Sequence, residues 1–180
     1  MAKPANSSKN PALQAWVDKW SAKYPPTWDK NVKPLAGRPN FGHKEVEAIY
    51  QWKFRRLWPQ RKIDAMRTLS QNEVISLTGR AFSCADELGA LLILTLIPGA
   101  RTAGASAILM AHDPERYTVM DIRALRSLTS LGLWSEEAQG SQASGLRWLD
   151  YLHVCRDLAQ RTNRSLRTID RALWAANGHA

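Results

Sequence analysis

Residues 94–132 read LTLIPGARTAGASAILMAHDPERYTVMDIRALRSLTSLG, and this stretch decides the fold. An apolar run ends at Pro98-Gly99, a pair that breaks helices. A second helix is expected from about Thr102 to His112. The turn DPERY follows, and then Asp121 stands at the N-cap of a third helix that Gly132 stops. Helix, short turn and helix make a hairpin. Gly99 takes backbone angles that other residues avoid and lets a partner approach the chain closely. The start of the second helix, near Arg101 to Ala103, presents backbone N–H groups and the positive end of a dipole, which suits a phosphate. On local features alone, the turn is an ordinary helix–helix connection and Asp121 is a cap.

Working outward, the chain reads as short helices separated by caps. Asn10-Pro11 opens a helix with Leu13, Trp16, Val17 and Trp20 on one face. YPPTWDKNVKPLAGRPNFG has no period and reads as a linker. A second helix starts near His43 and puts Val46, Ile49, Tyr50 and Leu57 on one side; Pro59 ends it or starts the next. Ile63, Met66 and Leu69 form another face. Asn72 is the expected cap of the run from Val74 to Phe82. Ser83 and Asp86 have capping-box spacing ahead of the apolar run 88–97. Two helices close the chain, at about 145–161 and, capped by Ser165, 166–176. YTVM reads as extended with no partner strand. The expectation is an all-α chain of about nine helices: a tail, short helix and proline-rich linker over 1–40, then one helical domain over 41–180.

Composition narrows the partners. The 180 residues carry a formal charge of +9, which favours a polyanion, nucleic acid before an anionic membrane surface. No segment has the form of a secretion signal, and the run 88–97 is too short to span a bilayer. Cys84 and Cys155 cannot build a metal cage or a disulfide framework, and a reducing intracellular, cytoplasmic location is expected. Eight tryptophans supply ample aromatic anchors.

The hairpin and the acid together resemble the helix-hairpin-helix base-excision DNA glycosylases, the superfamily of endonuclease III, adenine glycosylase and 8-oxoguanine glycosylase. Members carry a pattern like L-P-G-V-G-x-K-T-A, an apolar helix, a turn, and V-D at the head of the next helix. IPGARTAGASAIL matches the hairpin and VMDIRAL the acid segment, over about 85–132. The family's lysine falls on Ala103 and its acid on Asp121, eighteen residues on, which is the family's separation. The resemblance implies a two-lobed helical bundle that acts as a monomer, nucleoid-associated, on double-stranded DNA with a modified base, and not on membranes. It implies an enzyme that extrudes the base and hydrolyses its N-glycosidic bond, with Asp121 catalytic. The expected DNA contacts are Gly99, Arg101, Thr102 and Ala103 at the hairpin, with Lys53, Arg55 and Arg56. No cofactor and no catalytic metal is implied; hairpin carbonyls hold a monovalent cation in some members.

Two positions depart from the pattern. Arg101 replaces the second hairpin glycine. Ala103 replaces the lysine that bifunctional members use as a Schiff-base nucleophile, so strand cleavage by that route is not open. The chain resembles the monofunctional type. IYQWKFRRLWPQRK interleaves Lys53, Arg55, Arg56, Arg61 and Lys62 with Trp52, Phe54 and Trp58, suited either to phosphate contact with base stacking or to an ordinary amphipathic helix. Lys53 is a minor candidate to replace the missing amine from another helix. Arg164, Arg167 and Arg171 read as a solvated face, with Asp170 able to pair with a neighbouring arginine. Ser106 and Cys84 read as packing residues. The rival readings are a non-catalytic DNA-binding protein of the same fold, and a protein-interaction module whose charge serves solubility. The base is not readable from the sequence; loose similarity to short 8-oxoguanine-glycosylase-like proteins favours an oxidised purine.

Overall fold

A computed structural model describes residues 10–55, 58–135 and 144–177. The described residues are all-helical. They form α1 (Pro11–Ser21), α2 (His43–Lys53), α3 (Pro59–Met66), α4 (Gln71–Phe82), α5 (Glu87–Thr95), α6 (Arg101–His112), α7 (Ile122–Ser130), α8 (Gly145–Thr162) and α9 (Leu166–Ala176), with two 3-10 turns between α1 and α2. No strand occurs among them, and none of their helices is long and apolar enough to cross a membrane.

The caps explain most boundaries. Asn10 Oδ1 accepts from the Leu13 N–H at 3.1 Å, and Pro11 follows at the first helical position. Asp121 Oδ1 accepts from the Arg123 N–H at 2.9 Å, and Ser165 Oγ from Thr168 at 3.2 Å. Two expected caps move. Ser70, not Asn72, opens α4, because Glu73 stands three residues after it and returns a bond to the Ser70 N–H at 2.7 Å. Asn72 therefore lies inside the first turn. Asp86 alone caps α5, through the Gly89 N–H, while Ser83 closes α4. Leu57 lies outside the described residues.

The helices pack in two groups. In one, α2 lies against α3 and α6, and α5 against α4 and α6. In the other, α9 lies against α1, α7 and α8. The α5–α8 contact joins the groups, and one apolar core runs through both, from Val17 to Leu173. Glu87 reinforces that junction with a two-pronged pair to Arg156, at 2.6 and 3.0 Å. Burying each Leu or Ile of this core contributes about 1.5–3 kcal/mol.

The proline-rich stretch after α1 is folded onto the rest. Tyr24, Asp29, Val32, Leu35 and Phe41 are all buried. Its 3-10 turns, Pro26–Asp29 and Lys33–Leu35, have a three-residue repeat too short to show as amphipathic periodicity. With α1 packed on α8 and α9, residues 10–42 belong to the same folded body as the helices after them.

Candidate functional site

Pro98 and Gly99 form a tight turn between α5 and α6, with Gly99 at φ +86°. A Cβ on Gly99 would lie 2.9 Å from the backbone oxygen of Lys62, so α3 presses on the outside of the turn. Lys62 Nζ donates to the Gly99 carbonyl at 3.2 Å and sits 4.4 Å from the Phe54 ring. Arg101 occupies the left-handed region at φ +43°, where glycine is at ease and arginine is strained. Its side chain is exposed. The Lys62 ammonium is pushed below its usual pKa by partial burial, and further by Arg101 and Arg61. Three cations therefore gather at the hairpin. No ion pair joins any of them to a carboxylate among the described residues.

α6 is buried along nearly its whole length, from Thr102 to Ala111. Thr102 and Ala103 are 7% and 4% exposed, so their side chains face the core and not a ligand. Of the four expected hairpin contacts, Arg101 alone offers an exposed side chain, and Gly99 is half-buried. Arg56 lies outside the described residues.

The extended run before Asp121 has no strand partner, and side chains satisfy it instead. Buried Ser106 on α6 accepts from the Met120 N–H at 3.1 Å. Tyr151 on α8 donates to the Val119 carbonyl at 3.1 Å, and Trp148 to that of Thr118 at 3.5 Å. Two helices thus fix the point from which the Asp121 side chain departs. Ser106 packs as expected and has this positioning role as well, which no local spacing signals.

A cavity of about 280 Å³ opens between the two helix groups. That is just below the usual range of pockets that hold small molecules, about 300–1,000 Å³. Its walls include Trp52 and Lys53 from α2, Asp121 and Arg123 beside the start of α7, and Arg167, Asp170 and Trp174 from α9. Tyr24 and Arg55 also line it. Lys53 Nζ donates to Asp121 Oδ2 at 2.5 Å and to the Met120 carbonyl at 3.3 Å. The two side chains are 8% and 19% exposed. Burial works to raise the Asp121 pKa, but Lys53 and the Arg123 N–H outweigh it, and the carboxyl titrates below its ordinary 3.8. Asp121 is therefore an ionised group at neutral pH. Arg123 lies over Trp174 at 4.5 Å, and Arg167 over Trp52 at 5.4 Å.

Behind the cavity lies an ionic cluster that the sequence did not reveal. Arg167 is 11% exposed and donates to Asp29 Oδ1 at 2.6 Å; it also pairs with Asp170. Arg171 donates to Asp29 Oδ2 at 2.6 Å, and Tyr24 to Asp29 Oδ1 at 2.9 Å. Arg164 pairs with Asp18 on α1. The expected solvated arginine face of α9 is thus a set of ion pairs, because α1 and the first 3-10 turn cover it. Asp170 pairs with an arginine as expected. Burial raises its carboxyl above the usual range, opposed by Arg167 and Lys53 and aided by Asp121 and Asp29.

The basic-aromatic stretch is divided among three places. Tyr50 and Phe54 enter the core, Trp52, Lys53 and Arg55 line the cavity, and Arg61 and Lys62 flank the hairpin. Trp58 stands 84% exposed at φ +56°, immediately before α3. Among the described residues, no group of three or more His, Cys, Asp or Glu side chains could hold a metal. No family model matches the chain, and neither a curated protein nor a solved structure matches it.

Proposed function

We propose that this chain is a DNA glycosylase that takes an extruded, modified base into the cavity between its helix groups and breaks the base–sugar bond. The observation that carries the proposal is an ionised carboxylate, Asp121, fixed in an aromatic-walled, cation-rich cavity of a chain whose hairpin gathers Lys62, Arg61 and Arg101. A base inside a duplex is out of reach of any active site, so the nucleotide must leave the stack. Trp52 and Trp174 offer faces for stacking it. The hairpin cations, with the overall charge of +9, hold the phosphates on either side.

Departure of the base builds positive charge on the deoxyribose. Asp121 supplies the opposing charge and orients a water toward the sugar. Two helix groups pin its backbone through Ser106, Trp148 and Tyr151, so little reorganisation accompanies the step. Lys53 keeps Asp121 ionised until the sugar arrives.

The test is base release from duplexes carrying a panel of oxidised, alkylated, deaminated and mismatched bases, read by alkali cleavage. The wild type is expected to release one class. Asp121→Asn is expected to slow release by about a hundredfold or more while leaving DNA affinity intact. Asparagine still caps α7, so loss of activity cannot be laid to loss of the helix start. Release by Asp121→Asn at the wild-type rate would overturn the role of Asp121. Salt-sensitive DNA binding with no release from any duplex would favour a non-catalytic DNA-binding protein. Absence of salt-sensitive binding would favour an interaction module.

A further inference from the structure

Both tryptophan walls of the cavity carry a guanidinium on the ring. Arg167 lies 5.4 Å from the Trp52 centroid and Arg123 4.5 Å from that of Trp174. The face of an aromatic ring is its negative side, and a cation seated there uses that attraction. A base stacked on either wall therefore meets the guanidinium itself, or a ring whose electrons the guanidinium already draws. Tyr24, a third wall, has Arg167 and Arg171 at 5.3 and 5.6 Å. An open aromatic pocket attracts a cationic ligand; here the protein's own cations stand in that place.

The carboxylates do not cancel this charge. Lys53, Arg55, Arg123 and Arg167 line the cavity against Asp121 and Asp170. Asp121 is taken up by Lys53, and Asp170 by Arg167, which Asp29 also holds from behind. Arg123 stands apart. Its backbone N–H donates to Asp121, but its half-buried guanidinium forms no ion pair with a carboxylate among the described residues. An arginine keeps its charge at any ordinary pH, and its planar fork of N–H donors matches a carboxylate in two bonds. We infer that the cavity selects its base by charge, with Arg123 the specificity-determining residue. It takes an acidic oxidised base, one with a carboxylate on its ring, and rejects a base whose ring is positively charged. The inference rests on the glycosylase reading for delivery of the base from DNA; the charge preference belongs to the cavity alone.

Arg123 also has a plain structural use, packing the start of α7 on Trp174 of α9. The two roles separate in a ratio between ligands of similar shape and different charge. Loss of packing lowers stability and leaves that ratio where it was. Arg123→Gln removes the charge and keeps the backbone bond to Asp121, and Arg123→Lys restores the charge without the planar fork.

The experiment has two arms, both on the full chain. In the first, calorimetric titration without DNA compares orotate, a pyrimidine carboxylate, with uracil, the same ring without the carboxylate, and with 1-methylnicotinamide, a planar cation. Orotate is expected to bind about tenfold tighter than uracil or more, and the cation no tighter than uracil. Arg123→Gln is expected to bring orotate close to uracil, and Arg123→Lys to restore part of the difference. In the second, base release is read from duplexes carrying 5-carboxycytosine, 5-formylcytosine or 7-methylguanine. The first is anionic, the second neutral, and the third cationic on a ring whose charge weakens its own bond to the sugar. Release of the carboxyl base is expected to lead that of the formyl base by about tenfold in the wild type and to lose the lead in Arg123→Gln. 7-Methylguanine is expected to leave no faster than without protein. Orotate no tighter than uracil, 7-methylguanine released as fast as 5-carboxycytosine, or a ratio unchanged in Arg123→Gln would overturn the inference. The wild-type comparisons need no variant, so poor folding of Arg123→Gln does not spoil the test. Orotate selectivity with no release from any duplex sinks the glycosylase reading and leaves the charge preference standing. Release with no charge preference in either arm does the reverse.

Discussion

Asp29 holds together the wall of the cavity that α9 provides, and its removal has a calculable cost. It is 6% exposed and accepts from Arg167, Arg171 and Tyr24. Asp29→Asn keeps the shape and removes the charge. Arg171, 36% exposed in its side chain, can turn to water at little cost. Arg167, 11% exposed, cannot, and is left with Asp170 as its one carboxylate. Removing one partner of a buried pair costs about 3–5 kcal/mol. Because Asp170 still compensates Arg167 and the amide oxygen of the substituted side chain still accepts one bond, the lower end applies, about 3 kcal/mol. With a urea slope of about 1–3 kcal/mol per molar, the unfolding midpoint falls by about 1–3 M.

The same substitution fixes the sign of a pH effect. Burial works to raise the Asp29 pKa, but Arg167 and Arg171 dominate and hold it below 3.8. A carboxyl whose folded pKa is depressed contributes stability above its unfolded pKa, about 3.9, and that stability disappears as pH falls through the folded value. Asp170 has the opposite sign. Its pKa is raised in the fold, so protonation on acidification relieves part of its burial cost. Wild type minus Asp29→Asn should therefore be largest near neutrality and shrink below about pH 4. Tryptophan-fluorescence urea curves at about pH 7 and about pH 3.5 measure both quantities. A difference under about 0.5 kcal/mol at about pH 7, the level of an exposed pair, would refute the account of the cluster as a buried support.

Two further outcomes concern the hairpin. Gly99→Ala places a methyl 2.9 Å from the Lys62 carbonyl oxygen and 3.2 Å from Lys62 Cα at φ +86°, so a loss of about 2–3 kcal/mol in thermal or urea unfolding is expected. Arg101→Gly relieves the strain at φ +43°, worth about 1–2 kcal/mol, against about 0.5–1 kcal/mol of added chain entropy. Stability should hold or rise slightly, while the slope of log affinity for duplex DNA against log salt becomes shallower by about one. An unchanged slope would remove Arg101 from the phosphate contacts.

What could be read from the sequence follows the range of each interaction. Helix starts were legible where a cap is unambiguous, as at Asn10, Asp121 and Ser165. They were misread where two candidates compete: Ser70 and Asn72 both suit an N-cap, and the decision fell to Glu73, which only Ser70 can use in a capping box. Asp121 could be singled out because its distance from the hairpin is a property of one continuous segment. Lys53 could be named as an amine on another helix, but its pairing with Asp121 could not, since the two lie sixty-eight residues apart in the chain. Asp29 was hidden for the same reason, and because aperiodic, proline-rich sequence resembles a solvated connection even when Tyr24, Val32 and Leu35 are packed beneath it. The surface charge at α9 misled most: Arg167 and Arg171 on the helix, with Arg164 just before its cap, look solvated until α1 and the first 3-10 turn bring Asp18 and Asp29 into reach.

The alanine at position 103 has its physical setting in the packing of α2 on α6. From Ala103 to Ala107, α6 reads Ala-Gly-Ala-Ser-Ala, and every one of these residues is buried. A Cβ added at Gly104 would meet the rings of Tyr50 and Phe54 at 3.5 and 3.7 Å, so α2 leaves room there for a methyl in ordinary contact and little more. A long side chain at Ala103 would have to leave a surface that is 4% exposed. That close approach carries the end of α2 past α6 to the Asp121 loop, where Lys53 meets both the Met120 carbonyl and the Asp121 carboxylate. Small residues on α6 and an amine on α2 are therefore two sides of one packing arrangement. The carboxylate comes from the segment that follows α6, while the cation facing it is delivered by α2.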